Sequence, residues 1–77
     1  VIDADNVRDR FPLFVKARKT ALTLVTDLPI RFEEAEDVVT TDGVVRVQPG
    51  EYRLALDVNG NPYPIEETVF QETYELA

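Results

Sequence analysis

Val38-Val39-Thr40-Thr41-Asp42-Gly43-Val44-Val45-Arg46-Val47 consists of two β-branched runs around an Asp-Gly pair. β-branched side chains suit a pleated, half-buried surface, and Asp-Gly tolerates the positive φ values of the mirror-image two-residue turn, whose twist matches the flanking strands. The stretch predicts a hairpin. With that turn Thr41 faces Val44, Thr40 faces Val45 and Val38 faces Val47, so Val38, Thr40, Val45 and Val47 form the buried side of the ribbon.

Downstream, Pro49-Gly50 makes a corner and a cleanly alternating strand follows. Tyr52, Leu54, Leu56 and Val58 point one way and Glu51, Arg53, Ala55 and Asp57 the other, the pattern of a half-buried strand. Read as a second two-residue turn, Asn59-Gly60 pairs Leu56 with Tyr63 and Leu54 with Ile65, and sets Pro62 opposite Asp57 and Pro64 opposite Ala55. Residues 61 to 65 are then an edge strand, protected from further pairing by its prolines. Thr68-Val69-Phe70-Gln71 has the spacing of a capping box, which predicts a helical turn that drops Val69 or Phe70 into the barrel mouth. Tyr74 and Leu76 suit a short final strand.

Upstream, residues 13 to 26 alternate roughly, with Leu22 and Leu24 on one face and Thr23 and Val25 on the other, and read as a strand bent near Arg18-Lys19. Leu28-Pro29 breaks it. Glu33-Glu34-Ala35-Glu36-Asp37 is an acidic connector, either a helical turn or a loop. In the leading segment, residues 1 to 12, Asp3 or Asp5 caps a turn of helix with Val7 and Phe11 on one face, stopped by Pro12. Together these elements predict a mainly β fold: a small, partly open SH3-like barrel of five or six short antiparallel strands over residues 13 to 77, with a short N-terminal helix or turn.

Composition narrows the chemistry. A chain of 77 residues is one small domain with little interior to spare for a deep cleft. It has no His, Cys, Ser, Met or Trp, which removes the commonest general base, two nucleophiles and the usual zinc ligands. Glu66 and Glu67 with Glu72 and Glu75 are carboxylates of the kind that bind calcium or magnesium, but they lack the spacing of a dedicated ion loop. No catalytic residue, cofactor or metal site is nominated. The absence of disulfides is compatible with the cytosol.

The net charge of -7 is uneven. Residues 1 to 31 hold six cations and four acids, a net +2, whereas residues 32 to 77 hold two cations and eleven acids, a net -9. That balance disfavours direct nucleic-acid binding, since affinity for phosphates comes from Lys and Arg. An acidic face attracts a basic partner or keeps the protein dissolved. The dense cluster Glu33, Glu34, Glu36 and Asp37 is the candidate interaction patch, and Tyr52 and Tyr63, with Tyr74, are candidates for an aromatic binding strip or for core rings with wetted hydroxyls. Arg46 and Arg53 read as cations among these acids or as ordinary cross-strand pairs. No apolar stretch approaches the roughly 20 residues that span a bilayer, so no membrane partner is expected and a soluble protein is.

Pro49-Gly50-Glu51-Tyr52, the Gly-x-x-Tyr-Pro of Gly60 to Pro64, and Phe70-x-x-Thr-Tyr-Glu over residues 70 to 75 make residues 38 to 77 resemble the PGDYG-type modules found as small phage and prophage proteins and as tails of bacterial proteins. Phe14 to Lys19 loosely resembles their aromatic-basic first strand. Glu51 stands where the pattern has Asp, and Arg53 where a second Gly is often found. The resemblance implies a phage-related accessory protein, placed in the host cytoplasm or the virion, and carries over no catalytic residue or ligand. The leading expectation is therefore a non-enzymatic protein-binding module, a phage accessory or virion-decorating subunit whose partner is another protein or itself, through a strand edge or apolar face. The alternatives are an acidic anti-defence inhibitor occupying a host protein's nucleic-acid site, and a non-catalytic fragment of a larger enzyme.

Overall fold

Eight strands and two short helices follow one another in the computed structural model, which describes residues 1–77. They are α1 (Val7–Arg10), β1 (Phe14–Arg18), β2 (Leu22–Thr26), β3 (Ile30–Phe32), β4 (Glu36–Thr40), β5 (Gly43–Val47), β6 (Gly50–Leu56), β7 (Pro62–Glu66), α2 (Glu67–Thr73) and β8 (Glu75–Leu76). The fold is mainly β, a curled antiparallel half-barrel with a short helix, as the sequence predicts.

β6 is the hub of the sheet. One edge pairs with β7 along Tyr52–Leu56. The other is shared: β3 takes Gly50–Tyr52 and β2 takes Ala55 and Leu56. β1 pairs with β2 and β8 with β1, while β4 and β5 form a separate ribbon. Two apolar clusters result. Ile2, Val7, Phe32, Val38, Val47, Leu54 and Leu56 pack between the sheet, the ribbon and the leading segment. Ala17, Val25, Ala55, Ile65 and Phe70 pack on the opposite face, beneath α2.

The leading segment is tied in by its polar residues. Asp3 Oδ1 accepts the N–H groups of Asp5 at 2.9 Å and Asn6 at 3.1 Å, and Asn6 Oδ1 accepts the Asp3 N–H at 3.0 Å. This reciprocal pair folds a turn ahead of α1; the helix takes Asn6 as its N-cap residue with no side-chain cap bond, so neither Asp3 nor Asp5 is the expected cap. The turn sets Val7 into the core and holds Ile2 beside β4, where Ile2 N–H donates to Asp37 O at 2.9 Å and Val39 N–H to Ile2 O at 2.8 Å.

Several expectations are corrected. Residues 13 to 26 are not one bent strand: Arg18 pairs with Leu22, so Lys19-Thr20-Ala21 reverses the chain without a Gly or Pro to announce it. The first hairpin turns on Thr41-Asp42, both at negative φ, and pairs Thr40 with Gly43 and Val38 with Val45. Gly43 alone takes a positive φ, +126°. The two-residue change in pairing keeps the same side chains on the same face. Val38 and Val47 are buried, but Val45, directly opposite Val38, stays 43% exposed.

The second hairpin slips by one residue, which exchanges faces. Asp57 N–H donates to Asn61 O at 3.0 Å, leaving a three-residue loop, Val58-Asn59-Gly60, with Gly60 at φ +79°. The Asp57 side chain imposes this loop by accepting the N–H groups of Asn59 at 2.9 Å and Asn61 at 3.0 Å. Leu56 therefore faces Pro62 and Leu54 faces Pro64, while Tyr63 and Ile65 join Ala55 and Arg53 on the other side. Val58 sits fully exposed in the loop. Because the Asp57–Asn61 pair is hydrogen-bonded, Pro62 and Pro64 fall at the alternate positions, whose N–H would point away from β6. β7 is the expected proline-guarded edge.

The helix begins at Glu67, so Thr68 and Gln71 form no capping box. Gln71 Nε2 instead donates to Glu67 at 2.8 Å. Phe70 is buried and Val69 is exposed.

Candidate binding surfaces

Arg53, which alternation places on the wet side of β6, is only 6% exposed. Its Nε and Nη2 donate to Glu67 at 2.8 and 3.1 Å, Nη1 donates to Asp27 O at 3.2 Å and Thr26 O at 3.4 Å, and the guanidinium lies 4.2 Å from the centre of the Phe70 ring. These contacts fill the break where the chain passes from β2 to β3. At that break the Leu54 N–H has no strand partner and donates to Thr26 Oγ1 at 3.2 Å. The pair is structural: the Arg53 hydrogen bonds hold the Glu67 carboxyl below the usual glutamate range, against its partial burial.

The acidic cluster does not form one free patch. Glu36 and Asp37 lie in β4, half-buried, with Glu36 clasped by both Arg10 terminal nitrogens and Asp37 3.2 Å from Arg46. The Arg10 hydrogen bond lowers the Glu36 pKa. Glu33 lies 3.4 Å from Arg31, and both are exposed. Glu34 alone of the four has no cation within 4 Å.

Tyr52 and Tyr63 are on opposite faces. Tyr52 packs edge-on against Phe32, with ring centres 5.6 Å apart. Tyr63 sits in the second cluster near Tyr74, which stacks on Phe70 at 5.1 Å. Burial, then the neighbouring Tyr74 phenol, pushes the Tyr63 pKa up. No common aromatic strip is formed.

The two hairpin tips are clasped together. The Thr41 hydroxyl donates to the Asp57 carboxylate, and Asn61 Nδ2 donates to Thr41 Oγ1 at 3.0 Å. The Thr41 hydrogen bond, helped by the Asn61 and Asn59 amides, lowers the Asp57 pKa. The carboxylates Glu66, Glu67, Glu72 and Glu75 do not converge, and no three acids lie where they could hold one metal ion.

What remains open on the surface are strand edges. β3 and β8 are short, and β7 carries two prolines. β5 differs: five residues, Gly43 to Val47, have no partner on their outer side and contain no proline. The closing Thr40–Gly43 pair and the Ile2 bonds to Asp37 and Val39 fix the alternation, so Val44 and Arg46 direct their backbone N–H and C=O groups to the free side. Val44 and Val45 are 64% and 43% exposed. Periodicity alone shows the ribbon; it cannot show that its second edge stays uncovered. A separate shallow apolar notch of about 210 Å³ lies between Phe11-Pro12-Leu13 and Leu28-Pro29-Ile30.

No family model, curated protein or solved structure matches the chain. The likeness of residues 38 to 77 to PGDYG-type modules thus rests on the motif residues themselves. No helix is long and apolar enough to cross a membrane.

Proposed function

We propose that the protein is a non-enzymatic protein-binding module that accepts an extended segment of its partner along β5. The free β5 edge carries this reading. An unpaired strand edge is a template for another chain, and proteins usually blunt such edges with proline, charge or brevity. Here β3 and β8 are short and β7 carries prolines, whereas β5 is five residues long, free of proline, and its one charge, Arg46, is held by Asp37 of β4. Strand addition draws affinity from the outward backbone groups of Val44 and Arg46, with selectivity from side chains such as exposed Val44 and Val45. The phage or prophage accessory setting, including a virion-decorating role, is supported by the motif resemblance alone.

The inhibitor reading has weaker support, because mimicry of a nucleic acid needs carboxylates free for the partner and Glu33, Glu36 and Asp37 each have a cation of their own.

The test is Val44→Pro. It removes an outward N–H and blocks strand addition without breaking a bond to β4. Capture from the phage-bearing host, read by mass spectrometry, should lose at least about tenfold of the specific partner, an energetic change of about 1.4 kcal/mol. Undiminished capture by a variant with unchanged circular dichroism would refute the edge.

A further inference from the structure

β5 is its own complement. Val44 and Arg46 direct their backbone groups outward, so an antiparallel strand added at this edge must set outward-facing residues of its own against them. A second β5, related to the first by a two-fold axis, can do this in three registers. An axis through Arg46 sets two guanidiniums opposite each other, which is repulsive. An axis through Val44 sets Arg46 against Asp42, a residue of the turn and not of the strand. An axis through Val45 pairs Val44 of each copy with Arg46 of the other, and every outward backbone group of both residues finds its partner.

The side chains suit the third register. Val45, 43% exposed, meets Val45 of the other copy at a non-hydrogen-bonded position, where side chains approach most closely. It also lines an open groove of about 550 Å³ with Thr40 and Pro64, and a two-fold axis normal to the ribbon keeps both copies of Val45 on this face. On the other face Val44, 64% exposed, lies opposite the aliphatic stem of the second copy's Arg46. The Arg46 charge is already answered by Asp37 at 3.2 Å, so the pairing requires no new ion pair.

We infer that the extended segment accepted by β5 is β5 of a second copy of this chain, in the register centred on Val45. This rests on the strand-addition reading and names its partner. The contact is isologous: each copy presents the same edge, both β5 edges are consumed, and assembly stops at a dimer. Two five-residue strands make a small interface beside the roughly 1,200 Å² of stable complexes, so the dimer is weak and is sought at millimolar protein. Salt acts on it with a definite sign. Each copy carries a net charge of -7, and no ion pair joins the copies, so screening relieves their repulsion and strengthens the dimer.

The chain has no cysteine, so a single substitution reports the register by disulfide formation. In Val45→Cys the two Cα atoms lie about 4.5 Å apart across the axis, within the range that a disulfide bridges. In Val44→Cys they are offset by two residues along the strands, roughly 8 Å apart and beyond that range. Under mild oxidation Val45→Cys should cross-link at least about tenfold faster than Val44→Cys, although position 44 is the more exposed. Equal rates, or faster linkage at position 44, overturn the register. Sedimentation of the unaltered chain should show mass between monomer and dimer that rises with protein and with salt, and a monomer throughout overturns the self-pairing. Val44→Pro with unchanged circular dichroism should be monomeric, and a dimer that survives it overturns the inference. If the unaltered chain is monomeric and Val44→Pro still loses its captured partner, self-pairing fails while strand addition stands, with a different protein on the edge.

Discussion

The two faces of β6 are buried by different means. Leu54 and Leu56 face a dry cluster closed by the ribbon and by Ile2 and Val7, with no ionised group inside it. Arg53 and Ala55 face α2, where a guanidinium is buried against Phe70 and anchored to Glu67. Apolar burial is non-directional and tolerates shape changes of similar volume. A buried ion pair is directional, and losing one partner strands the other. The ribbon face therefore supplies cohesion, and the helix face fixes where α2 sits and how the β2-to-β3 break is sealed.

The contrast can be broken in order of expected effect. Leu54→Ala should cost about 3–5 kcal/mol through lost transfer energy and a cavity. In so small a domain, where each kcal/mol moves the melting temperature by about 4–8 °C, that is enough to unfold it at room temperature. Arg53→Ala should cost about 3 kcal/mol near neutral pH. Its loss shrinks in acid because Glu67 then becomes neutral, whereas the Leu54→Ala loss is indifferent to pH; paired melts at pH 7 and pH 3 separate the two. Thr26→Val leaves the Leu54 N–H without its acceptor, at about 1–3 kcal/mol, and should speed amide exchange at Leu54.

The parent chain should also lose stability in acid. Glu36 and Glu67 have folded pKa values below the ordinary glutamate value of about 4.3, so the stability they contribute is fully present above that value and is lost as the pH falls through the lowered folded values. Glu36 is partly exposed, so its share is small after solvent screening. Arg53→Ala should flatten this acid slope; an unchanged slope would show that Glu67 does not report the pair. The smallest effect is at the clasp: Thr41→Val should raise the Asp57 pKa toward the ordinary range, read by NMR titration, with the melting temperature barely altered.

Much of this was legible in the residues. β-branched runs and tight-turn pairs place both hairpins, and alternation finds Leu54 and Leu56. The failures are local. Asn59-Gly60 suggests a two-residue turn, yet Asp57, two residues before Asn59, is the side chain that organises a three-residue loop, and that single residue decides which face Tyr63 shares. The Asp-x-Asn-Gly pattern was the available signal, since Asp side chains commonly bond backbone two residues on. Arg53 reads as polar and therefore outward because periodicity sees charge and not partners; only α2 folding over it supplies Glu67 and Phe70. Glu36 and Asp37 read as part of a connector because their cations, Arg10 and Arg46, come from other segments of the chain.

β6 also dictates when the molecule can exist at all. β2, β3 and β7 each pair with it, and it begins only at Gly50. Until β6 is made, residues 1 to 49 can form no more than isolated hairpins, which are marginal alone in water. The ribosome must deliver the central strand and then α2 before the earlier segments acquire a lasting place, so a nascent chain arrested before Leu56 emerges should remain fully protease-sensitive.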